Sequence, residues 1–118
     1  MSGEKILITE DERITALDLK MTLEKLGYLV VGSVASGEES IEFARRLKPD
    51  LVLMDIHLKT AMMGTEAAQL ISKELDIPVI FLSAYSDRSV IREAGQSTPY
   101  GYLIKPYDAR EIDASIQV

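Results

Sequence analysis

The chain of 118 residues suits one domain of ordinary size, and 47% hydrophobic with 27% charged residues suits a packed core. A formal net charge of −6 and no cysteine argue against a basic nucleic-acid surface, a disulfide framework and a thiolate metal site. No apolar run approaches the ~18 residues of a membrane span, and "MSGEKILITEDE" places acids straight after a short apolar run, unlike a secretion signal; the expected location is the cytoplasm.

"KILIT" (5–9) is the first short apolar run. Residues 12 to 26 follow with helical spacing: Ile14, Leu17 and Met21 form one stripe, which Leu19, Leu23 and Leu26 widen. Gly27 stands where helices commonly end. "YLVVGSV" (28–34) is the second apolar run. Ser36 and Glu39 have capping-box spacing and open a helix carrying Ile41, Phe43, Ala44 and Leu47, which Pro49 stops. "ARRLK" (44–48), the densest basic run, reads as the solvated face of that helix. "LVLM" (51–54) is the third run; residues 65 to 75, with Ala67, Ala68, Leu70, Ile71 and Leu75, form the third helix. "PVIFL" (78–82) precedes a short helix over 87 to 94, opened by Ser86 or Asp87. "GYLI" (101–104) is the fifth run, and "YDAREIDASIQV" opens a last helix with Asp108 as N-cap and Glu111 at N3.

Short Val/Ile/Leu-rich runs alternating with amphipathic segments predict an α/β fold, (βα)5, with a five-stranded parallel sheet covered on both faces. A doubly wound, flavodoxin-like three-layer sandwich of strand order 2-1-3-4-5 places its site at the carboxyl ends of the strands. Glu10, Asp11 and Glu12 follow the first run, Asp55 the third, Ser83 the fourth, and Lys105 and Pro106 the fifth. In that order Glu10, Asp11 and Asp55 converge, with Ser83 and Lys105 on the other side. Three neighbouring carboxylates repel unless a cation sits among them. A hard ion such as Mg²⁺, or Mn²⁺, takes carboxylate, water and phosphate oxygens. With an ammonium and a hydroxyl, this set matches a transferring phosphoryl group. Asp55, ending the central strand, is the candidate nucleophile for an aspartyl phosphate.

Each residue alone has a plainer reading. Asp55 suits a turn or cap, Glu10 to Glu12 the acidic first turn of a helix, Ser83 a core hydroxyl, and Lys105–Pro106 a chain leaving a strand. Their occurrence together at successive strand ends favours one site.

"ILITEDE", "PDLVLMDIHL", "IPVIFLSAY" and "GYLIKPY" in this order resemble a response-regulator receiver domain over essentially the whole chain. The resemblance implies that Glu10 and Asp11 form the acidic pocket, Asp11 being the more direct metal ligand. It implies that Asp55 accepts the phosphoryl group from a sensor histidine kinase or phosphotransfer protein. The His57 backbone carbonyl would complete the metal's protein ligands; Ser83 and Lys105 would bind the phosphoryl group, with a cis Lys105–Pro106 peptide. Ser83 and Tyr102 would form the switch, with Tyr100 as a rival aromatic. They repack the face of the fourth helix, fifth strand and fifth helix. His57 and Tyr85 occupy positions that tune phosphoryl lifetime in the family. An output domain or partner protein outside this chain is implied, with a phosphorylation-dependent homodimer as one mode of output.

There are departures from the family's pattern. Glu10 stands where Asp is commoner, which shifts that carboxylate toward metal-bound water. Lys59 replaces a common proline, and Gly64 comes one position late. "LKTAMMG" therefore reads as a loop with one extra residue, carrying Met62 and Met63 at the rim or in the core. A pseudo-receiver that only binds partners is one alternative. An aspartyl-phosphate phosphatase of the haloacid-dehalogenase type is weaker, because the Asp it needs two positions after the nucleophile is His57. No phosphate-cradling glycine motif supports a nucleotide-binding fold. The expected organisation is one receiver domain, 1–118, with a truncated fifth helix. It is either a single-domain regulator or a piece of a larger signalling protein.

Overall fold

The computed structural model describes residues 3–56, 58, 64–83, 101–104 and 107–117, with the backbone alone at 65, 101 and 102. Five parallel strands form one sheet: β1 (Lys5–Thr9), β2 (Leu29–Val34), β3 (Leu51–Asp55), β4 (Val79–Ser83) and β5 (Gly101–Ile104), in the order β2-β1-β3-β4-β5. Both the strands and their order match the sequence expectation. Between them run α1 (Arg13–Lys25), α2 (Gly37–Leu47) and α3 (Gly64–Leu75), and a C-terminal helix spans Ala109–Gln117. The helix expected over 87–94 lies outside the described residues.

The sheet is apolar on both faces because its central strands are apolar at consecutive positions. Ile6, Ile8, Leu51, Leu53, Ile80 and Leu82 point to one side, where α1 and the C-terminal helix supply Leu19, Leu23 and Ile112. Leu7, Val52, Met54, Val79 and Phe81 point to the other, against Ile41 and Ala44 of α2 and Ala67, Ala68 and Ile71 of α3. Removing each large side chain from water contributes about 1.5–3 kcal/mol. This two-sided burial fixes the register, and the register places the strand ends beside one another.

The predicted face of α1 needs correction. Ile14, Leu17 and Met21 are 84%, 57% and 51% exposed, while Ala16, Leu19 and Leu23 pack on the sheet. The helix carries apolar residues on two opposite faces, so spacing alone does not select the inner one. The smaller Ala16 and the Leu19–Leu23 pair fit against Ile6 and Ile8. Gly27 does follow α1 with φ of 98°, the left-handed conformation expected of a helix-terminating glycine.

Capping follows the sequence closely. Ser36 Oγ accepts from the Glu39 N–H at 3.1 Å, while the Glu39 carboxylate accepts from the Ala35 N–H and the Ser36 hydroxyl. The last helix has a reciprocal box: the Glu111 N–H donates to Asp108 at 2.9 Å and the Asp108 N–H to Glu111 at 3.2 Å. The far end of α2 is less comfortable. Lys48 adopts φ of 47° before Pro49, a left-handed conformation that costs a non-glycine residue about 1 kcal/mol. Lys48→Gly is therefore expected to stabilise the fold by about 0.5–1 kcal/mol, read as a higher urea midpoint at unchanged slope. A lower midpoint would mean the lysine side chain contributes more than its backbone costs.

The C-terminal helix is tied to the start of β2. The buried Tyr28 phenol donates to Asp113 at 2.6 Å and accepts from the Gln117 amide at 2.9 Å.

Candidate functional site

Strand register builds the site. Thr9 pairs with Met54, so the next residues, Glu10 and Asp55, emerge side by side from neighbouring strands. Asp55 pairs with Leu82, and Ser83 with Ile104. Lys105 is the residue after Ile104 in the chain. Backbone bonds extend the pairing past the carboxyl ends of the strands: the Glu10 N–H donates to Val34 O, at the end of β2, at 2.9 Å, and the Ile56 N–H to Leu82 O of β4 at 3.2 Å.

Glu10, Asp11 and Asp55 come together there, each offering a carboxylate oxygen within 4.8 Å of the others. Glu10 is 3% and Asp55 6% exposed, while Asp11 is half-buried and opens the cluster to solvent. Glu10 Oε2 also accepts from the Glu12 N–H at 3.2 Å, which orients that longer side chain. The Ser83 hydroxyl, 1% exposed, makes a long hydrogen bond of 3.4 Å to Leu103 O on β5. Three clustered carboxylates are the hard oxygen donors that suit a small divalent cation, so the residues present fit Mg²⁺. The expectations for His57, Lys105, Pro106, Tyr85, Tyr100, Met62, Met63 and the Tyr102 side chain concern parts outside the described residues.

Three supports escaped the sequence reading. Beneath Glu10, the buried Thr9 hydroxyl donates to Ser40 Oγ at 2.7 Å, pinning the end of β1 to α2. Gly64 N–H donates to Ile56 O at 3.1 Å, and a Cβ on Gly64 would sit 2.1 Å from the Asp55 carbonyl oxygen. The late glycine of the sequence thus still packs directly on the Asp55 backbone. Tyr107 is the third: it is half-buried against the apolar cluster on the Ile6–Ile8 face of the sheet, and burial first, then the charges of Glu10, Asp55 and Asp18, push its phenol up to about 12. Its position directly after Lys105–Pro106 is the only sequence signal for it.

Tyr28 is likewise pushed up to about 12, by burial and then by its bond to Asp113. Both phenols stay neutral in the fold at pH values where unfolded tyrosine ionises, near 10. Their contribution to stability is therefore complete below pH 10 and is lost as pH rises through about 12. Phenolate absorbance is expected to show Tyr28 and Tyr107 titrating near pH 12, with unfolding in the same window. Normal titration of both below pH 11 in a folded sample would contradict this packing.

A family model of the response regulator receiver domain matches residues 6–117. The chain belongs to this family. Receiver relatives agree with it in sequence and shape. It is 33% identical to the transcriptional regulatory protein PdtaR of Mycobacterium tuberculosis over 97% of this chain and 55% of that protein. It is 34% identical to the phyllosphere-induced regulator PhyR of Methylorubrum extorquens over 95% of this chain and 42% of that one. The chain thus spans about half the length of these curated relatives. Against the chemotaxis protein CheY of Thermotoga maritima, identity is 31%, with 93% and 92% covered. Among solved structures, the signal receiver domain of a modulated diguanylate cyclase from Desulfovibrio desulfuricans superposes with a TM-score of 0.90 at 37% identity, covering 98% and 91%. The receiver domain of the sensor histidine kinase PA1611 of Pseudomonas aeruginosa, with magnesium coordinated in its active-site cleft, gives 0.85 at 30% identity, covering 98% and 95%. This receiver has no helix, among the described residues, long and apolar enough to cross a membrane.

Proposed function

We propose that this receiver domain takes a phosphoryl group on Asp55 from a histidine kinase or phosphotransfer protein. The observation that supports it best is the convergence of Glu10, Asp11 and Asp55 at the end of the paired strands β1 and β3. A carboxylate oxygen of Asp55 forms the new O–P bond while the donor's bond to phosphorus breaks and its electron pair stays with the donor. Glu10, Asp11 and Asp55, with the His57 carbonyl by family likeness, would hold Mg²⁺, or Mn²⁺. The ion supplies positive charge opposite the phosphoryl oxygens. Lys105 pairs with those oxygens and Ser83 turns its hydroxyl from Leu103 O toward them. Burial of Asp55 keeps competing water away while leaving the open Asp11 side for the donor.

The whole chain, 1–118, is read as one receiver domain acting in the cytoplasm. Its output passes to a domain or partner protein, or to a second copy of the chain, through Ser83, Tyr102 and the surface around β5, as a population shift between two packings. The family's likeness to proteins described as transcriptional regulators, a diguanylate cyclase and a sensor kinase supports one shared input with differing outputs.

The test is incubation with acetyl phosphate and Mg²⁺, with intact-mass readout and peptide mapping. A phosphoryl group on Asp55 that needs Mg²⁺ is expected, and beryllofluoride should move the amide resonances of β5 and the C-terminal helix. No adduct and no shifts would remove the essential claim. Lys105→Ala is expected to keep metal affinity within about threefold while the amide shifts in β5 disappear on phosphorylation. Loss of metal binding in that variant would give Lys105 a different role.

A further inference from the structure

At the opposite end of the sheet from the acidic cluster lies a cavity of about 150 Å³. Its walls are Ile6, Leu51 and Ile80, each the first or second residue of its strand, with Pro78 and, from the C-terminal helix, Ile116. Ile6 and Leu51 are register partners, so the floor is a continuous apolar strip across the sheet. Ser115 and Glu4 stand at its polar edge. Glu4 Oε1 is buried there and has no hydrogen-bond partner among the described residues.

A buried carboxylate oxygen without a donor is costly, and the economical remedy is a cationic donor. The space limits that donor's size. A cavity of this volume holds about one benzene-sized ring, well below the roughly 300–1,000 Å³ of sites for larger ligands such as nucleotides. Asp50 at the same rim adds further negative charge and disfavours anions. We propose that this cavity is a binding site for a small hydrophobic ammonium, a single ring or short alkyl group bearing one amine, with the ammonium donating to Glu4. Glu10 lies four positions beyond Ile6, about 13 Å along the strand, so an occupant leaves the acidic cluster untouched. The site is therefore spatially separate from Asp55. It touches instead the helix that Tyr28 holds through Asp113 and Gln117.

The test is an NMR titration of the full chain with benzylammonium chloride, in saturating Mg²⁺ so that the acidic cluster is occupied. Saturable shifts are expected at the methyl groups of Ile6, Leu51, Ile80 and Ile116, with a dissociation constant of about 1 mM for so small a ligand. Glu4→Gln should weaken binding about tenfold, and benzyl alcohol, the same ring without the charge, should bind about tenfold more weakly to the unaltered chain. Ser115→Phe, at the helix surface, should fill the mouth and remove the shifts, with circular dichroism showing the fold retained. Shifts centred on Glu10, Asp11 and Asp55 would overturn the proposal. So would equal binding of benzyl alcohol, or no saturable shift at all.

Discussion

Asp55→Ala is expected to reduce phosphorylation by acetyl phosphate from near-stoichiometric to background. The new bond needs a carboxylate on the central strand, and the two other carboxylates of the cluster are built differently. Glu10 is turned back toward the Glu12 N–H, and Asp11 lies on the open rim. Neither ends β3, the strand that pairs directly with β4 and so brings its last residue beside Leu82 and Ser83. A second readout separates the chemistry from the fold. Without a divalent ion, three carboxylates whose oxygens lie within 4.8 Å repel one another. The unaltered chain should gain stability with Mg²⁺ by mass action, and the variant should gain little. A phosphoryl adduct surviving in Asp55→Ala would falsify the acceptor assignment; an unchanged Mg²⁺ response would remove Asp55 from the metal site.

Gly64→Ala is expected to be the most damaging single-methyl change near the site. Its Cβ would lie 2.1 Å from the Asp55 carbonyl oxygen and 3.0 Å from both the Asp55 carbonyl carbon and the Ile56 Cα. All three are backbone atoms of a strand end held by ladder hydrogen bonds, so none yields as a flexible side chain would. Alanine would favour the helix by about 1 kcal/mol where glycine now starts α3. The clash should outweigh that and cost about 3 kcal/mol net. Urea unfolding would show the loss, and the amide resonances of Asp55 and Ile56 should move further than those of β2. An unaltered midpoint would mean that α3 slides outward freely and that the contact does not position the acceptor.

The sheet was legible because its central strands carry apolar residues at consecutive positions, a pattern that two-sided burial accommodates. Ser36, Glu39, Asp108 and Glu111 announced their helix starts because capping is local chemistry. The acidic cluster was legible for a different reason: parallel order converts positions just after apolar runs into neighbours. The inner face of α1 was not legible, since Ile14–Leu17–Met21 and Ala16–Leu19–Leu23 are both apolar and only the sheet chooses between them. Thr9 and Ser40 read as ordinary small polar residues, because their hydrogen bond spans 31 positions and no local pattern encodes it. Gly64 read as a late glycine. Only the packed backbone shows that its missing side chain matters to Asp55.

The register that gathers the cluster also sets when it exists. Glu10, Asp55 and Ser83 come from three strands whose pairing requires crossovers through α1, α2 and α3. These contacts are of high sequence separation, and their loops must close before the contacts stabilise anything. Partly folded chains, with β3 formed but β1 unpaired, present Asp55 without its neighbours. Only a chain that has completed its central pairing therefore brings Glu10, Asp55 and Ser83 together at one end of the sheet.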